Sequence, residues 1–315
     1  MKIKQNEIRR KVILGIPDGS SIDANRGGLK EILENSRIFI RNWDGNSKPE
    51  VIDIPWLEVI MQRPQELPYL AAINCCDLFF CGDDWAKEWE LRGHYNEKLL
   101  SCGIGKVNVV AAAKKEKNKF SIAASEYPFI AKQYLQEKLA AKSIEIIKYG
   151  EKAKSRYVVI DSFGKTELKA VYEIADLVVE NTQTGNTIRN LGLEVICKIF
   201  ASEIGLFMRK GISDEFKLGK IERIKYMVGG AVNAYGKDLV TFNIKNKGLE
   251  KALNYIRENR LFGNEETISK GNKTSEITIE VSTRNAEMPL IDIVGDLKKL
   301  GASCIEGIPL KYSIR

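Results

Sequence analysis

The chain reads as an α/β protein in three parts: two lobes enclosing a cleft, and a C-terminal α+β unit of ferredoxin-like order. Short apolar runs alternate with helix-spaced stretches as far as about residue 212, which argues for a mainly parallel sheet with both faces covered. A length of 315 residues exceeds what one hydrophobic core usually serves, so two or three domains are expected. Beyond Asp214 the pattern changes to a helix and then a compact β-α-β-β-α-β succession.

In chain order, Val12 to Pro17 is a buried-strand run ending in the turn Asp18-Gly19-Ser20-Ser21, and Arg26 to Leu33 has helical spacing. Turns at the carboxyl ends of such strands carry ligands, so Asp18, Gly19 and Ser20 are placed at the cleft. Arg37 to Arg41 and Leu57 to Met61 read as the next strands, with Arg63 at a strand end before a helix opening near Pro64 and Pro68. A guanidinium there can hold a phosphate in its fixed fork of donors, or form a surface ion pair with Glu66. Asp77 to Phe80 is a further strand, and Gly82-Asp83-Asp84-Trp85 turns into a helix capped by Asp83 or Asp84.

Lys106 to Ala113 and Phe120 to Ala124 are strands of a second lobe, Tyr127 to Leu139 is a helix opened by Pro128, and Ile144 to Lys148 and Tyr157 to Ile160 extend the sheet. Glu194 to Phe200 and Gly205 to Arg209 are expected to return to the first lobe. A helix from Asp214 to about Val228 follows. The C-terminal strands fall near Leu239 to Ile244, Thr267 to Lys270, Ile277 to Val281 and Cys304 to Ile308, and the helices near Leu249 to Glu258 and Pro289 to Leu300, the latter ended by Gly301.

The site signal lies in Asp176 to Leu193, a short apolar strand running into Thr182-Gln-Thr-Gly-Asn-Thr187. Thr184, Gly185, Asn186 and Thr187 can aim backbone N–H groups and hydroxyls at one anion, Gly185 allowing the close approach that a Cβ would hinder. Glu180, just before the turn, can accept hydrogen bonds from the vicinal hydroxyls of a ribose held by its 5′-phosphate. The same residues also describe an ordinary Thr/Gly turn after a strand.

Composition narrows the function classes. The chain is 44% apolar and 29% charged, with a net charge of +7 spread along the chain apart from the short cluster Lys114, Lys115, Lys117 and Lys119. That distribution suits an anionic metabolite and lacks the basic block of a nucleic-acid binder. The six cysteines, at 75, 76, 81, 102, 197 and 304, show neither C-x-x-C pairs nor disulfide-scaffold density. They read as reduced thiols of a cytoplasmic protein. No apolar run is long enough to span a membrane, and Met1 to Arg10 has no export h-region. The only histidine, His94, falls in the polar stretch Arg92 to Asn96, read as a solvent-exposed loop, so histidine-centred hydrolysis and a His-rich metal site are not expected.

The Asp176 to Leu193 stretch resembles the 5-phosphoribosyl diphosphate (PRPP) loop of the ATP phosphoribosyltransferase family, which opens histidine biosynthesis. Gly164 to Glu167 with Ala175-Asp176, Arg63-Pro-Gln-Glu-Leu-Pro-Tyr69, Cys81-Gly-Asp-Asp-Trp85 and Ser125-Glu-Tyr-Pro128 resemble further signatures of that family in the same order, with Cys81 where Thr is usual. The likeness runs from about Val12 to about Pro309. It implies a periplasmic-binding-protein-like core with a C-terminal ACT-like regulatory domain, as lobe I (1–104 and 188–212), lobe II (105–187) and a C-terminal domain (213–315). The implied reaction joins PRPP and ATP to give N1-(5-phosphoribosyl)-ATP and diphosphate, with Mg²⁺ carried mainly by the diphosphate and water.

By the same resemblance Glu180 holds the ribose hydroxyls, and Thr182, Thr184, Gly185, Asn186 and Thr187 hold the 5′-phosphate. Arg63 serves the diphosphate, and Asp18, Gly19, Ser20, Gly82 and Asp83 line the cleft. No side-chain metal site is expected, because positioning and charge stabilisation carry phosphoribosyl transfer. Two departures stand out. Asp18 and Ser21 replace the Lys and Leu of the family's first turn, and the family's histidine-binding P-T-V-S appears as Glu266-Thr267-Ile268-Ser269. Another acceptor base, or a non-catalytic sensor on the same fold, are therefore the alternatives. The long form further implies a homo-oligomer, hexamer or dimer, with histidine as an allosteric inhibitor.

Overall fold

The computed structural model describes residues 11–19, 28–43, 47–117, 119–139, 143–148, 150–261, 267–283 and 288–314. These fall into two compact units, the first within Met1–Glu34 and Ile38–Lys225 and the second within Asn35–Arg37 and Tyr226–Arg315. The division falls inside the long helix Glu215–Ala234, whereas the sequence suggests a boundary ahead of that helix.

The first unit holds two sheets. Lobe I is built on β1 (Val12–Pro17), β4 (Leu57–Gln62), β5 (Leu78–Gly82), β6 (Asn96–Ser101) and β13 (Ile204–Arg209), in the order β4-β1-β5-β13-β6. β1 runs parallel to β4 and β5, while β13 is antiparallel to β5 and β6. Helices α1 (Leu29–Asn35), α2 (Leu67–Ala72) and α3 (Asp83–Leu91) accompany these strands. A small hairpin pairs β2 (Ile40–Arg41) with β3 (Glu50–Val51). The strand expected from Arg37 is therefore only two residues long, Arg37 itself having φ 62°. The expected start of the first helix at Arg26 lies outside the described residues, as do Ser20, Ser21 and Glu266.

Lobe II takes β7 (Val107–Lys114), β8 (Ile122–Ser125), β9 (Ile144–Ile147), β10 (Tyr157–Asp161), β11 (Leu177–Thr182) and β12 (Leu193–Ser202), in the order β12-β7-β11-β8-β10-β9. β7 shows why both faces are buried. Val109, Ala111 and Ala113 face a core covered by α4 (Pro128–Leu139), while Val110 and Ala112 face a second core with Ala170 of α5 (Glu167–Val171) and Ile188 of α6 (Asn186–Asn190). β12 corrects the sequence reading: it pairs with β7 in lobe II instead of returning to lobe I. Only β13 returns. The chain thus crosses between lobes at residues 102–106 and at Glu203, and the crossings are bonded, Cys102 N–H to Ile204 O at 2.8 Å and Ile204 N–H to Ile104 O at 3.0 Å.

Asp77 organises lobe I from below. Its buried carboxylate accepts the Ile13 N–H (3.0 Å), Arg209 Nε (3.1 Å) and Lys217 Nζ (2.7 Å), joining β1, β13 and the first half of α7 (Glu215–Ala234).

The second unit orders β14 (Lys237–Lys245), β15 (Thr267–Lys270), β16 (Thr274–Ser282) and β17 (Ser303–Pro309) as β15-β16-β14-β17, with α8 (Leu249–Glu258) and α9 (Leu290–Lys299) as its helices. This is the ferredoxin-like order. Its core joins Val240, Phe242, Ile277, Ile279 and Val281 of the sheet to Leu253, Ile256, Ile293 and Leu297 of the two helices. Gly301 at φ 96° closes α9, with the Ala302 N–H on Leu297 O at 3.0 Å.

Candidate active site

Between the lobes of the first unit lies a cavity of about 620 Å³. Lobe I contributes Pro64, Gly82, Asp84, Trp85 and Ile204; lobe II contributes Glu167, Glu180, Asn181, Thr182, Thr184, Thr187 and Ser202; the first crossing contributes Gly105. β11 is buried as far as Val179 and opens at its carboxyl end, which delivers Glu180 to the cavity wall.

The turn after β11 is ordered from within. Thr182 Oγ1 accepts the Gly185 N–H at 2.8 Å, and Thr184 Oγ1 accepts the Asn186 N–H at 3.4 Å. A hydroxyl that accepts still has its own proton to donate, so the turn turns two backbone donors inward and presents two O–H donors in their place. Arg189 braces it, Nη2 bonding Thr184 O (2.9 Å) and Asn186 Oδ1 (2.6 Å). Gly185 is buried at φ 72°, a conformation that costs residues with a Cβ about 1 kcal/mol or more. Gly185 and Asn186 therefore serve the turn's shape, while Thr182, Thr184 and Thr187 form cavity wall.

Glu180 is half-buried. Burial, and then the neighbouring carboxylate of Glu126, push its pKa up to about 7. The Asn181 N–H on Glu180 Oε1 at 3.1 Å offsets this only partly. Asp176, at the other end of the strand, is structural. It takes the Ser121 and Ile122 N–H groups at 2.9 and 3.0 Å and the Lys117 ammonium at 3.0 Å.

Asp18 and Arg63 do not line the cavity; they pair with one another, Nε to Oδ2 at 3.4 Å, next to Pro64, which does. Arg63 thus forms an ion pair, but with Asp18 and not with Glu66. Asp18 closes β1 by its N–H on Gln62 O (2.9 Å), and its Oδ1 is buried without a hydrogen-bond partner. Gly19, at φ 79°, follows it.

Asp83 faces away. Its carboxylate pairs with Lys98 at 2.7 Å and lines a separate cavity. Nor does either acid cap α3: the cap is Gly82, in extended conformation with no side-chain bond, and Asp83 and Asp84 occupy the first turn, where they complement the helix dipole. A Cβ on Gly82 would stand 2.1 Å from Asp84 Oδ1. Gly82→Ala should therefore displace Asp84 and lower the melting temperature by several degrees, read by calorimetry; an unchanged Tm would contradict this.

Sequence reasoning passed over Asp84, Trp85, Asn181 and Ser202 as site residues. Asp84 carried a signal, since only one of two adjacent acids is needed to cap a helix. Ser202 carried none, because its neighbour is 118 residues away.

A two-lobed core with a carboxylate and a hydroxyl-rich turn on one cavity wall is the frame of a transferase of the phosphoribosyl class, the class to which the comparisons assign the chain. A family model described as HisG, ATP phosphoribosyltransferase, matches residues 63–228. The chain is 29% identical over 304 residues to the ATP phosphoribosyltransferase of Solibacter usitatus, covering 94% of this chain and 97% of that one. It is 30% identical over 233 residues to that of Solidesulfovibrio magneticus, covering 71% and 73%. Among solved structures, the ATP phosphoribosyl transferase (HisG:HisZ) complex from Thermotoga maritima superposes with a TM-score of 0.53 at 19% identity, over 69% of this chain and 98% of that one. The chain belongs to the ATP phosphoribosyltransferase family. It is a phosphoribosyltransferase of histidine biosynthesis, joining ATP and PRPP to N1-(5-phosphoribosyl)-ATP and diphosphate. Among the described residues no helix is long and apolar enough to cross a membrane.

Proposed function

We propose that this cavity is where PRPP and ATP react. The observation that carries the reading is the placement of the Glu180 carboxylate and the Thr182, Thr184 and Thr187 hydroxyls on one wall. A ribose 5′-phosphate held by the turn presents its 2′- and 3′-hydroxyls to Glu180, and C1′ then faces lobe I. Adenine N1 of ATP attacks C1′ as the bond to diphosphate breaks and its electron pair leaves with the diphosphate. The oxocarbenium character that develops is stabilised by the fixed carboxylates of the cavity. Titration with PRPP by calorimetry, then ATP with pyrophosphatase and mass detection of the adduct, tests it; a chain that takes up no PRPP removes the assignment.

The divalent metal is proposed to be Mg²⁺. Among the described residues no three His, Cys, Asp or Glu side chains cluster as a metal cage. Glu167 and Glu180 lie within the same cavity and offer hard carboxylate oxygens to a metal that would arrive on diphosphate oxygens and waters. Bound there, the metal would neutralise the leaving diphosphate.

Arg63 is assigned to the diphosphate, with Asp18 as its resting partner. The guanidinium side chain is 67% exposed, so it can swing from one anion to the other. Asp18→Asn is expected to lower KM for PRPP a few-fold and to change stability by under about 1 kcal/mol, as for an exposed pair. A raised KM would refute this role for Arg63.

The segment after residue 212 is assigned to regulation, with histidine as inhibitor and a hexamer or dimer as the assembly. The near-complete overlap with the Solibacter relative supports this, and the Thermotoga protein was solved as a complex. Light scattering with and without histidine decides: a monomer indifferent to histidine removes the regulatory role. A cytoplasmic setting accords with the nucleotide substrates and with six free cysteines.

A further inference from the structure

One face of α3 ties lobe I to lobe II beside the cavity. Asp84 and Glu88 lie four residues apart, so their carboxylates share that face, and both are buried, at 3% and 0% exposure. Glu88 accepts the Phe129 N–H (3.1 Å) and the Ile130 N–H (2.9 Å), which are first-turn donors of α4 with no partner inside their own helix. It also pairs with Arg92 at 2.9 Å, whose guanidinium lies 5.1 Å from the Phe129 ring centre. Asp84 accepts the Tyr127 hydroxyl at 2.8 Å and the Ser202 hydroxyl at 3.1 Å. Tyr127 Oη in turn accepts Asn181 Nδ2 at 2.6 Å, and Asn181 follows Glu180 on the cavity wall.

The bonds of this chain run in one direction, from Asn181 through Tyr127 to Asp84. The Tyr127 hydroxyl donates to Asp84 Oδ2, so its single phenolic proton is spent there. Tyr127 can then only accept from Asn181, which must turn its NH₂ to the tyrosine and keep its carbonyl oxygen for a ligand. Burial, with Asp84 next in effect, pushes the phenol well above its ordinary pKa, so it remains protonated throughout the working pH range.

We infer that Tyr127 is a positioning residue for phosphoribosyl transfer: its hydroxyl transmits the fixed orientation of Asp84 to Asn181, so that Asn181 Oδ1 meets the substrate as an acceptor beside Glu180. That oxygen suits a donor such as a sugar hydroxyl and repels phosphate, which keeps the phosphate on the threonine turn and the sugar at Glu180. The inference rests on the cavity being the PRPP site.

Tyr127→Phe keeps the ring against Trp85, 4.4 Å between centres, and removes only the hydroxyl. The expected result is a roughly ten-fold lower kcat/KM for PRPP, the size of one hydrogen bond, with KM for ATP within about two-fold of the parent. The decisive measurement is a double-mutant cycle with Asn181→Ala, an exposed position, with each variant's melting temperature checked alongside its kinetics. If Tyr127 acts through Asn181, adding Tyr127→Phe to Asn181→Ala costs nothing further. A full additional loss, or parental PRPP kinetics in Tyr127→Phe alone, overturns the inference while Glu180→Gln still reports on the cavity. If the parent itself takes up no PRPP, both readings fall together.

Discussion

Glu180→Gln is expected to lower kcat/KM for PRPP by roughly ten- to hundred-fold while making the protein more resistant to unfolding at alkaline pH. The first effect follows from a hydrogen bond to a charged group, which contributes about 1.5 to 3 kcal/mol. The second follows from linkage. The Glu180 pKa is about 7 in the folded chain against an ordinary 4.5, because burial and Glu126 disfavour its charge. Below about 4.5 both folded and unfolded states hold the proton and nothing is lost. Between about 4.5 and about 7 the unfolded chain releases it and the folded chain retains it, so stability falls as pH rises, and above about 7 the full penalty is present. Gln removes that penalty, so its Tm gain should be largest above pH 7 and vanish below 4.5. The ionised carboxylate is also the stronger acceptor, so kcat/KM for PRPP should rise with pH through about 7 in the parent and lose that limb in the variant. Asp176→Asn is the control: it should lower Tm without moving the limb. A Gln variant that folds and binds PRPP as the parent does would remove the ribose assignment.

Asp77→Ala should be the most destabilising of the single changes considered. Its carboxylate is 4% exposed and lies between Arg209 and Lys217, themselves 17% and 16% exposed. Deleting it leaves two nearly buried cations facing one another and the Ile13 N–H without its acceptor. Breaking a buried pair in this way costs about 3 to 5 kcal/mol. Urea denaturation would measure it, and a loss below about 1 kcal/mol would show that the two cations reach solvent when their anion is gone.

The parts of the fold that were legible in the sequence are those whose burial is two-sided or strictly periodic. The apolar runs of β1, β7 and β11 and the alternation of β14 and β16 announce themselves. β6 does not: Asn96 to Ser101 is a half-exposed edge strand made of polar and apolar residues without a period, and only its pairing with β13 makes it a strand. β12 was legible as a strand but not as to its sheet, because register on β7 is a long-range choice that local pattern leaves open. At the site, Glu180 and the threonine turn could be read because their chemistry is contiguous in sequence. The Asp84, Tyr127, Asn181 and Ser202 cluster could not, because each member becomes meaningful only beside residues 43 to 118 positions away.

His94 lies among aromatic rings, edge-on to Tyr69 and Trp89 with centres 6.3 and 5.4 Å apart, and is half-buried where the sequence suggested an exposed loop. It lines neither the cavity nor the turn after β11. As the only histidine of the chain, it leaves the cavity without an imidazole, so the neutral-pH limb expected of the activity is a titration of the Glu180 carboxyl. Carboxyl ionisation absorbs almost no heat, whereas imidazole ionisation absorbs a good deal. The midpoint of that limb should therefore stay where it is as temperature changes, where an imidazole limb would drift to lower pH on warming.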